Sequence, residues 1–179
     1  MADWAQALDT LVRDRGTALT RYAYLLCSDP REAEDLVQDA LVKTFSRGRA
    51  LRDPGAIEGY VRQAILTTYL DGFRRKRRWA AIRHLTARDE VGSGHERSTT
   101  QRLDVMTALD ELSPRERACV VLRFYEDLTV PEIATRLDLA GGTVKRYLSD
   151  AMRRLESQLG PLTGDELDDD SAVLTVTRC

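Results

Sequence analysis

The chain has 179 residues, of which 42% are hydrophobic and 31% charged, a composition typical of one ordinary globular domain or two small ones. It contains no run of about 18 apolar residues, and its first residues carry Asp3 and Asp9 without a basic flank, which excludes a membrane span and a secretory signal. We therefore expect a cytoplasmic protein.

Charge is distributed unevenly behind the formal net charge of −2. Five consecutive cations form a basic run at residues 74–78, whereas an acidic tail, residues 160–179, carries five acids against one arginine. Because binding to a polyanion depends on local clusters of charge, the basic run matters more than the overall charge for a nucleic-acid partner.

Cysteine and histidine offer no metal site, no cofactor site and no disulfide framework. Cys27, Cys119 and Cys179 lie far apart, and His84 and His95 form none of the spacings typical of metal ligands. Cys27 and Cys119 sit inside apolar runs, so we expect buried or inert thiols at both positions.

Apolar residues recur at helical spacing along most of the chain, which predicts an all-α fold. The first three groups are Trp4, Ala7, Leu8 and Leu11; Leu19, Tyr22, Ala23 and Leu26; and Leu36, Val37, Ala40, Leu41 and Phe45. Helix starts are marked by three capping boxes, in which a short polar side chain caps the backbone and a glutamate three residues later reaches back. These boxes pair Asp29 with Glu32, Ser113 with Glu116, and Thr129 with Glu132.

The helical pattern stops between residues 80 and 102, where polar residues predominate. Such a segment cannot bury enough apolar surface to fold alone, so we interpret it as a flexible linker. The sequence therefore predicts two small helical domains, residues 1–79 and 103–159, followed by the acidic tail.

The strongest local motif is a helix-turn-helix. A capped helix is predicted over residues 129–137, a turn over 139–142 and a second helix over 143–159. The second helix would bury a stripe of Val144, Leu148, Ala151 and Leu155. Its opposite face offers hydrogen-bonding groups suited to a DNA major groove, namely Lys145, Arg146, Ser149, Asp150 and Arg153. An ordinary helical hairpin with a solvated face is the alternative.

Residues 60–79 interleave aromatic and hydroxyl side chains and end in the basic run. Stacking surfaces beside cations are typical of single-stranded nucleic-acid binding. The alternative is that Tyr69 and Phe73 are core aromatics leading into a solvated basic helix end.

A third segment, residues 30–45, carries an acidic face on a predicted helix. The polar residues of this face are Glu32, Glu34, Asp35, Gln38 and Asp39. A solvated surface is the usual explanation, but the neighbouring apolar pair Leu36 and Val37 leaves open a docking face for a basic partner.

Three segments, in this order, resemble the extracytoplasmic-function sigma factors of bacteria: AEDLVQDAL at residues 33–41, YVRQAILTTYLDGFRRKRRW at 60–79, and the helix-turn-helix segment within 108–159. The similarity spans roughly residues 15–159. The helix-turn-helix alone is also similar to response-regulator output domains, but its pairing with the AEDLVQ helix is more specific.

The resemblance implies a subunit that directs bacterial core RNA polymerase to promoter DNA, with an anti-sigma factor as a further partner. In that family the first domain, region 2, binds the polymerase clamp and melts and reads the −10 element, and the second, region 4, reads the −35 element. By resemblance, the polymerase-binding residues are Asp35, Gln38 and Asp39. The −10 residues are Thr67, Tyr69, Asp71, Arg74, Arg75, Lys76 and Arg77, and the −35 residues are Thr143, Lys145, Arg146, Ser149 and Arg153.

The sequence departs from the family pattern at two positions. Thr67 stands where an asparagine is expected in the −10-reading helix, and a hydroxyl lacks the paired donor and acceptor of an amide. Ala140 precedes Gly141 and Gly142 where a serine often caps the recognition helix, which leaves its first amides for a DNA phosphate.

Two other classes of protein were weighed. A stand-alone helix-turn-helix regulator would need a dimer surface, and no segment outside the two domains offers one. An enzyme ranks last because the sequence has neither a Gly-rich phosphate loop nor a metal cluster.

The family pattern does not require the acidic tail. Acidic tails are usually solvated segments. The alternative is that the tail mimics nucleic-acid phosphate and competes with DNA for the cations of the chain.

Overall fold

The structure is a computed structural model that describes residues 3–46, 56–83 and 100–160. Seven α-helices, and no strand, occur in these ranges: α1 (Asp3–Cys27), α2 (Pro30–Ser46), α3 (Ile57–Arg83), α4 (Thr100–Asp110), α5 (Pro114–Phe124), α6 (Val130–Leu137) and α7 (Gly141–Leu159). The prediction of an all-α fold is confirmed. None of these helices is long and apolar enough to cross a membrane.

The predicted linker and tail lie mostly outside the described residues. The structure describes neither residues 84–99 nor residues 161–179. At the linker's edges, α3 continues to Arg83, past the predicted domain end at Trp79, and α4 begins at Thr100. The helical period of residues 60–79 therefore extends through the basic run and beyond it.

Helices α1, α2 and α3 pack pairwise against one another and enclose the apolar residues that the periodicity predicted. The side chains of this core that are less than 2% exposed are Leu19, Tyr22, Ala23, Leu26, Ala33, Ala40, Val61, Ile65 and Leu66. The first two apolar groups lie on one continuous helix, α1. At the start of α2, the backbone N–H of Glu32 donates to Asp29 Oδ1 over 2.8 Å, which is the cap that the sequence predicted.

Helix α5 is the centre of the second group of helices and is buried on most of its circumference. It contacts α6 and α7, and it also contacts α1 and α3 of the first domain. The capping box at Ser113 and Glu116 is complete, as predicted. Burial raises the pKa of the Cys119 thiol on this helix to about 12, and that of Cys27 to about 11. Both thiols are therefore protonated and unreactive near neutral pH.

The helix-turn-helix is formed by α6 and α7. Thr129 caps α6 in a complete capping box, and the backbone N–H and hydroxyl of Thr129 hold the pKa of Glu132 below its usual value. The chain reverses at Asp138, which adopts the left-handed conformation with φ 53° and ψ 56°. Because this single residue makes the turn, both glycines join the next helix, and α7 begins at Gly141, two residues earlier than predicted.

The two groups of helices are joined by the buried side chain of Arg117 on α5, which is 4% exposed. Its Nε donates to the carbonyl of Leu25 over 2.7 Å, and its Nη2 donates to Ser28 Oγ over 2.5 Å. Its Nη1 forms an ion pair with Asp110 Oδ1 at 2.7 Å. The guanidinium therefore satisfies polar groups at the end of α1 that would otherwise be buried without a donor.

A second contact between the domains is a stack of Arg62 on two tyrosines. The rings of Tyr22 and Tyr125 are 6.0 Å apart, and the Arg62 guanidinium lies 5.3 Å and 5.7 Å from their centroids. Arg62 also pairs with Glu126, at 3.5 Å between Nη1 and Oε1, and the Tyr125 hydroxyl donates to the carbonyl of Ala18. Linker composition did not indicate this packing of one domain on the other.

Replacement of the buried arginine tests how much this contact stabilises the fold. We expect Arg117→Ala to lower the free energy of unfolding by about 2 to 4 kcal/mol, because the Leu25 carbonyl and the Ser28 hydroxyl lose a charged donor. Urea denaturation monitored by circular dichroism measures the change. Arg13→Ala is the control, because its exposed ion pair with Asp9 contributes at most about 1 kcal/mol. Similar losses in both variants would contradict this role for Arg117.

Candidate functional site

Helix α7 separates its buried and exposed faces as the sequence predicted. Val144, Leu148, Ala151 and Leu155 are at most 6% exposed and pack α7 onto the second domain. The predicted DNA-contacting residues Lys145, Arg146, Ser149 and Arg153 are exposed, whereas Thr143 is half-buried. The helix therefore presents two arginines, a lysine and a hydroxyl on its solvent side, which are donors of the kind that read base edges and phosphates.

Two of the exposed arginines of α7, Arg146 and Arg153, make weak contacts within the same helix. Arg153 pairs with Asp150 on the same helix at 3.3 Å, and both side chains are exposed. The Arg146 guanidinium lies 5.6 Å from the ring of Tyr147. Because solvated contacts of this kind contribute little free energy, both arginines can turn toward a ligand at low cost.

No side chain caps the N-terminus of α7, in agreement with the departure noted in the sequence. Ala140 occupies the cap position with φ −71° and ψ 143°, and its carbonyl accepts from the N–H of Thr143 over 2.9 Å. Uncapped amides at the start of a helix carry partial positive charge, which favours an anionic ligand.

A small polar cavity of about 210 Å³ lies between α2 and α3, beside Thr67 and Asp71. Its lining consists of Lys43, Thr44, Tyr60, Gln63, Ala64, Thr67, Thr68 and Asp71. Lys43 Nζ donates to Thr68 Oγ1 over 2.8 Å, and Thr67 Oγ1 donates to the carbonyl of Gln63 over 2.8 Å. Lys43 was not predicted as a site residue. In the sequence it is one cation in the last turn of the acidic helix, and nothing there indicates that it meets Thr68 of α3.

The ring of Tyr69 does not belong to this exposed surface. Tyr69 is 4% exposed and contacts Phe73 edge-on, with 5.0 Å between ring centroids. Burial raises its pKa above the usual value for tyrosine. Position 69 follows Val61 and Ile65 at helical spacing on the inner face of α3, so the structure favours the core alternative for this aromatic and corrects its placement among exposed stacking groups.

The basic run occupies exposed turns in the second half of α3. Arg74 pairs with Asp71 at 3.4 Å, and Lys76 pairs with Glu32 of α2 at 3.5 Å. Within the described ranges, Arg75, Arg77 and Arg78 have no carboxylate within ion-pair distance. These arginine side chains repel one another, and an anionic partner nearby would offset the repulsion.

Helix α2 presents Asp35, Gln38 and Asp39 to solvent. The neighbouring pair Leu36 and Val37 is buried, so it cannot supply the apolar part of a docking face.

An apolar groove of about 700 Å³ between α1 and α2 lies next to Gln38 instead. It is lined by Trp4, Leu8, Val12, Gln38, Leu41, Val42, Phe45 and Ser46. Trp4 and Val42 are 49% and 67% exposed. Trp4 belongs to the predicted helical stripe of α1, but among the described residues its side chain stays 49% exposed, which the helical period alone did not indicate.

Comparison with known families divides the chain into two matched segments. The family model described as Sigma-70 region 2 matches residues 11–79, and the one described as Sigma-70, region 4 matches residues 108–156.

Relatives match across both segments. The RNA polymerase sigma-E factor of Streptomyces avermitilis is 33% identical over 151 residues, which cover 83% of this chain and 82% of that protein. The ECF RNA polymerase sigma factor SigL of Mycobacterium tuberculosis is 29% identical over 165 residues, covering 88% and 92%. The fold is similar to that of the sigma factor RpoE of Bartonella quintana, solved with the anti-sigma factor NepR: the TM-score is 0.63 and the identity 24%, covering 89% and 98% of the two chains.

The uncapped start of α7 generates a prediction about stability. Ala140 shares the extended backbone of Ser113, whose hydroxyl accepts from the N–H three residues later. We therefore expect Ala140→Ser to raise the free energy of unfolding by about 0.5 to 1 kcal/mol, measured by urea denaturation. Ala140→Val, which offers no acceptor, is the control. A gain of the same size in the valine variant would rule out the capping explanation.

Proposed function

The chain belongs to the sigma-70 family of RNA polymerase sigma factors, in its extracytoplasmic-function group. On this basis we propose which of its surfaces binds polymerase and which bind the two promoter elements. The protein binds core RNA polymerase and directs it to promoters. The observation that carries the proposal is that both family segments occur in order on one chain, each with an exposed cationic surface. A stand-alone regulator would have no use for a region 2 domain.

We assign the −35 element to α7. Lys145, Arg146 and Ser149 point away from the buried stripe and reach base edges when the helix lies in the major groove. Arg153 and the uncapped first turn around Thr143 contact the phosphates on either side.

We assign the −10 element to the second half of α3 and the polar cavity beside it. A base that leaves the stack can enter the cavity, where Lys43, Thr67 and Asp71 offer hydrogen-bond donors and acceptors. The basic run neutralises the adjacent phosphates, which offsets the few kcal/mol that unstacking costs. Since Tyr69 is buried, it supports α3 from inside and does not stack on a base.

We assign polymerase binding to the exposed face of α2 and to the neighbouring apolar groove. Asp35 and Asp39 give the surface negative charge, and Trp4 and Val42 give it exposed apolar area beside Gln38. An apolar centre with a charged rim is the usual composition of a protein interface. The family's polymerase clamp, a pair of helices, is the partner that we expect on this surface.

Reading both promoter elements at once requires the two domains to separate. The elements are about 25 base pairs apart, or roughly 85 Å along straight DNA at 3.4 Å per base pair. In the structure the domains touch through hydrogen bonds of Arg117 and through the ion pair of Arg62 with Glu126. We therefore propose residues 1–79 and 103–159 as the domains that move, with residues 80–102 as the linker that permits it.

We further propose that an anti-sigma factor controls the protein, as the family resemblance implies. The protein itself works in the bacterial cytoplasm, where transcription takes place. It acts by binding to polymerase and DNA and catalyses no reaction.

Run-off transcription with purified core polymerase tests the function. We expect transcripts from a cognate promoter only when the protein is added. The paired charge reversal Asp35→Lys and Asp39→Lys should weaken core binding by tenfold or more, measured by fluorescence anisotropy, because the partner surface is basic. The same reversal at Asp9 and Asp14, exposed acids on α1, is the control. No transcript with wild-type protein would refute the function; equal effects of both pairs would refute the docking face.

Base reading by α7 is tested by Arg146→Ala. If its guanidinium makes a bidentate base contact, the variant should lose about 1 to 3 kcal/mol of affinity for DNA with the matched −35 element. Competition binding at fixed salt, with matched and scrambled −35 sequences, measures the difference. An equal loss of affinity on both sequences would show that Arg146 contacts a phosphate and does not read a base.

A further inference from the structure

A groove of about 640 Å³ lies where the first domain meets the second, between α3, α5 and α7. Its floor is apolar and consists of Leu70, Phe73, Pro114 and Tyr147. Its rim is cationic and carries Arg74, Lys76, Arg77 and Arg115. The proposed function uses the rim residues of the basic run, but it gives no role to the apolar floor.

Two of the four rim cations lack an acidic partner within the part of the chain that the structure describes, whereas Arg74 and Lys76 have exposed ion pairs with Asp71 and Glu32. Arg77 and Arg115 have no carboxylate there within ion-pair distance. Phe73 is 38% exposed, with Lys76 Nζ 5.5 Å from its ring centroid. A ligand that fits this surface needs carboxylates for the rim and apolar side chains for the floor.

The acidic tail of the same chain has both kinds of group in adjacent positions. Its acids are Asp165, Glu166, Asp168, Asp169 and Asp170. Its apolar residues follow directly as Ala172, Val173, Leu174 and Val176. Nucleic-acid phosphates match the rim and bases can stack on Phe73 and Tyr147, but the aliphatic residues Leu70 and Pro114 are matched by the apolar side chains of the tail, so the observations favour the tail.

The tail is long enough to reach the groove. Tyr147 of α7 lines the groove 13 residues before Gly160, and later in α7 Arg154 pairs with Glu116, the neighbour of the groove residue Arg115, at 3.2 Å. From Arg154 to Gly160 the helix rises by only about 9 Å, at 1.5 Å per residue. Asp165 and Asp170 can then lie up to about 18 Å and 35 Å beyond Gly160, at about 3.5 Å per extended residue.

We propose that residues 161–179 bind in this groove of their own chain, with the acids on the cationic rim and residues 172–176 on Phe73 and Tyr147. The bound tail covers part of the basic run, so it competes with promoter phosphates for Arg74, Lys76 and Arg77. Because the groove has walls from both domains, the bound tail also favours the closed arrangement. Binding of the tail in the groove does not depend on the proposed function, whereas its competition with promoter phosphates rests on the −10 surface proposed above.

A labelled synthetic peptide of residues 161–179, with Cys179→Ser, tests the proposal without polymerase or DNA. Its binding is measured by fluorescence anisotropy to the full chain and to a chain ending at Gly160, which retains all seven described helices. We expect the peptide to bind the shortened chain, and to bind the full chain at least tenfold more weakly because the tethered tail already occupies the groove. Absence of binding to the shortened chain, or equal binding to both chains, would overturn the proposal.

Variants of the shortened chain then locate the peptide. Arg77→Ser with Arg115→Ser should weaken peptide binding at least tenfold, whereas Arg13→Ser with Arg21→Ser, which removes two exposed arginines of α1, should change it less than twofold. Equal weakening by both pairs would reduce the contact to nonspecific charge attraction and refute the site.

The apolar half of the contact is tested in the peptide itself. Val173→Ser with Leu174→Ser leaves every charge in place and should weaken binding at least fivefold. Unchanged affinity would refute contact with the floor. If the Arg77 and Arg115 variant loses promoter DNA binding but keeps peptide binding, the groove is a nucleic-acid surface and the proposal is wrong.

Discussion

The buried guanidinium of Arg117 is the constraint on which the closed arrangement of the two domains depends. It lies between α5 and the end of α1, where it donates to the Leu25 carbonyl and the Ser28 hydroxyl. A charged group at 4% exposure is costly unless its donors are satisfied, and the partners come from both domains. The two helical groups are therefore packed on each other by polar contacts as well as by apolar burial.

Polar contacts suit an interface that opens, as we propose for this one. Leu25, Ser28 and Arg117 can exchange their mutual hydrogen bonds for bonds to water, so separation costs far less than exposure of an apolar core. The same holds for Arg62, whose guanidinium lies over the rings of Tyr22 and Tyr125 and pairs with Glu126. Because each domain keeps its own core, both domains stay folded when they separate. Separated domains can reach the two promoter elements, which lie about 85 Å apart on DNA.

In the proposed function, helix α3 serves both packing and binding. Its inner face, with Ile65 and Tyr69, completes the first domain, and its outer face carries Thr67, Asp71 and the basic run. The surfaces follow from the helical period: adjacent residues lie 100° apart, so a reading residue and a core residue can be neighbours in sequence. The buried ring of Tyr69 holds α3 against its neighbours and thereby positions the exposed side chains.

The sequence by itself determined the helical class, two complete capping boxes and the two faces of α7, because these depend on residues three or four positions apart. It placed Lys145 on the exposed face of α7 on the same grounds and singled out Thr67 by the family resemblance, but it could not decide whether Tyr69 faced the core or a base. Only the tertiary structure brought Lys43 beside Thr67, exposed Trp4 beside α2, and closed the domains through Arg117. These contacts join residues 24 to 92 positions apart, and local periodicity carries no information about which distant helix faces will meet.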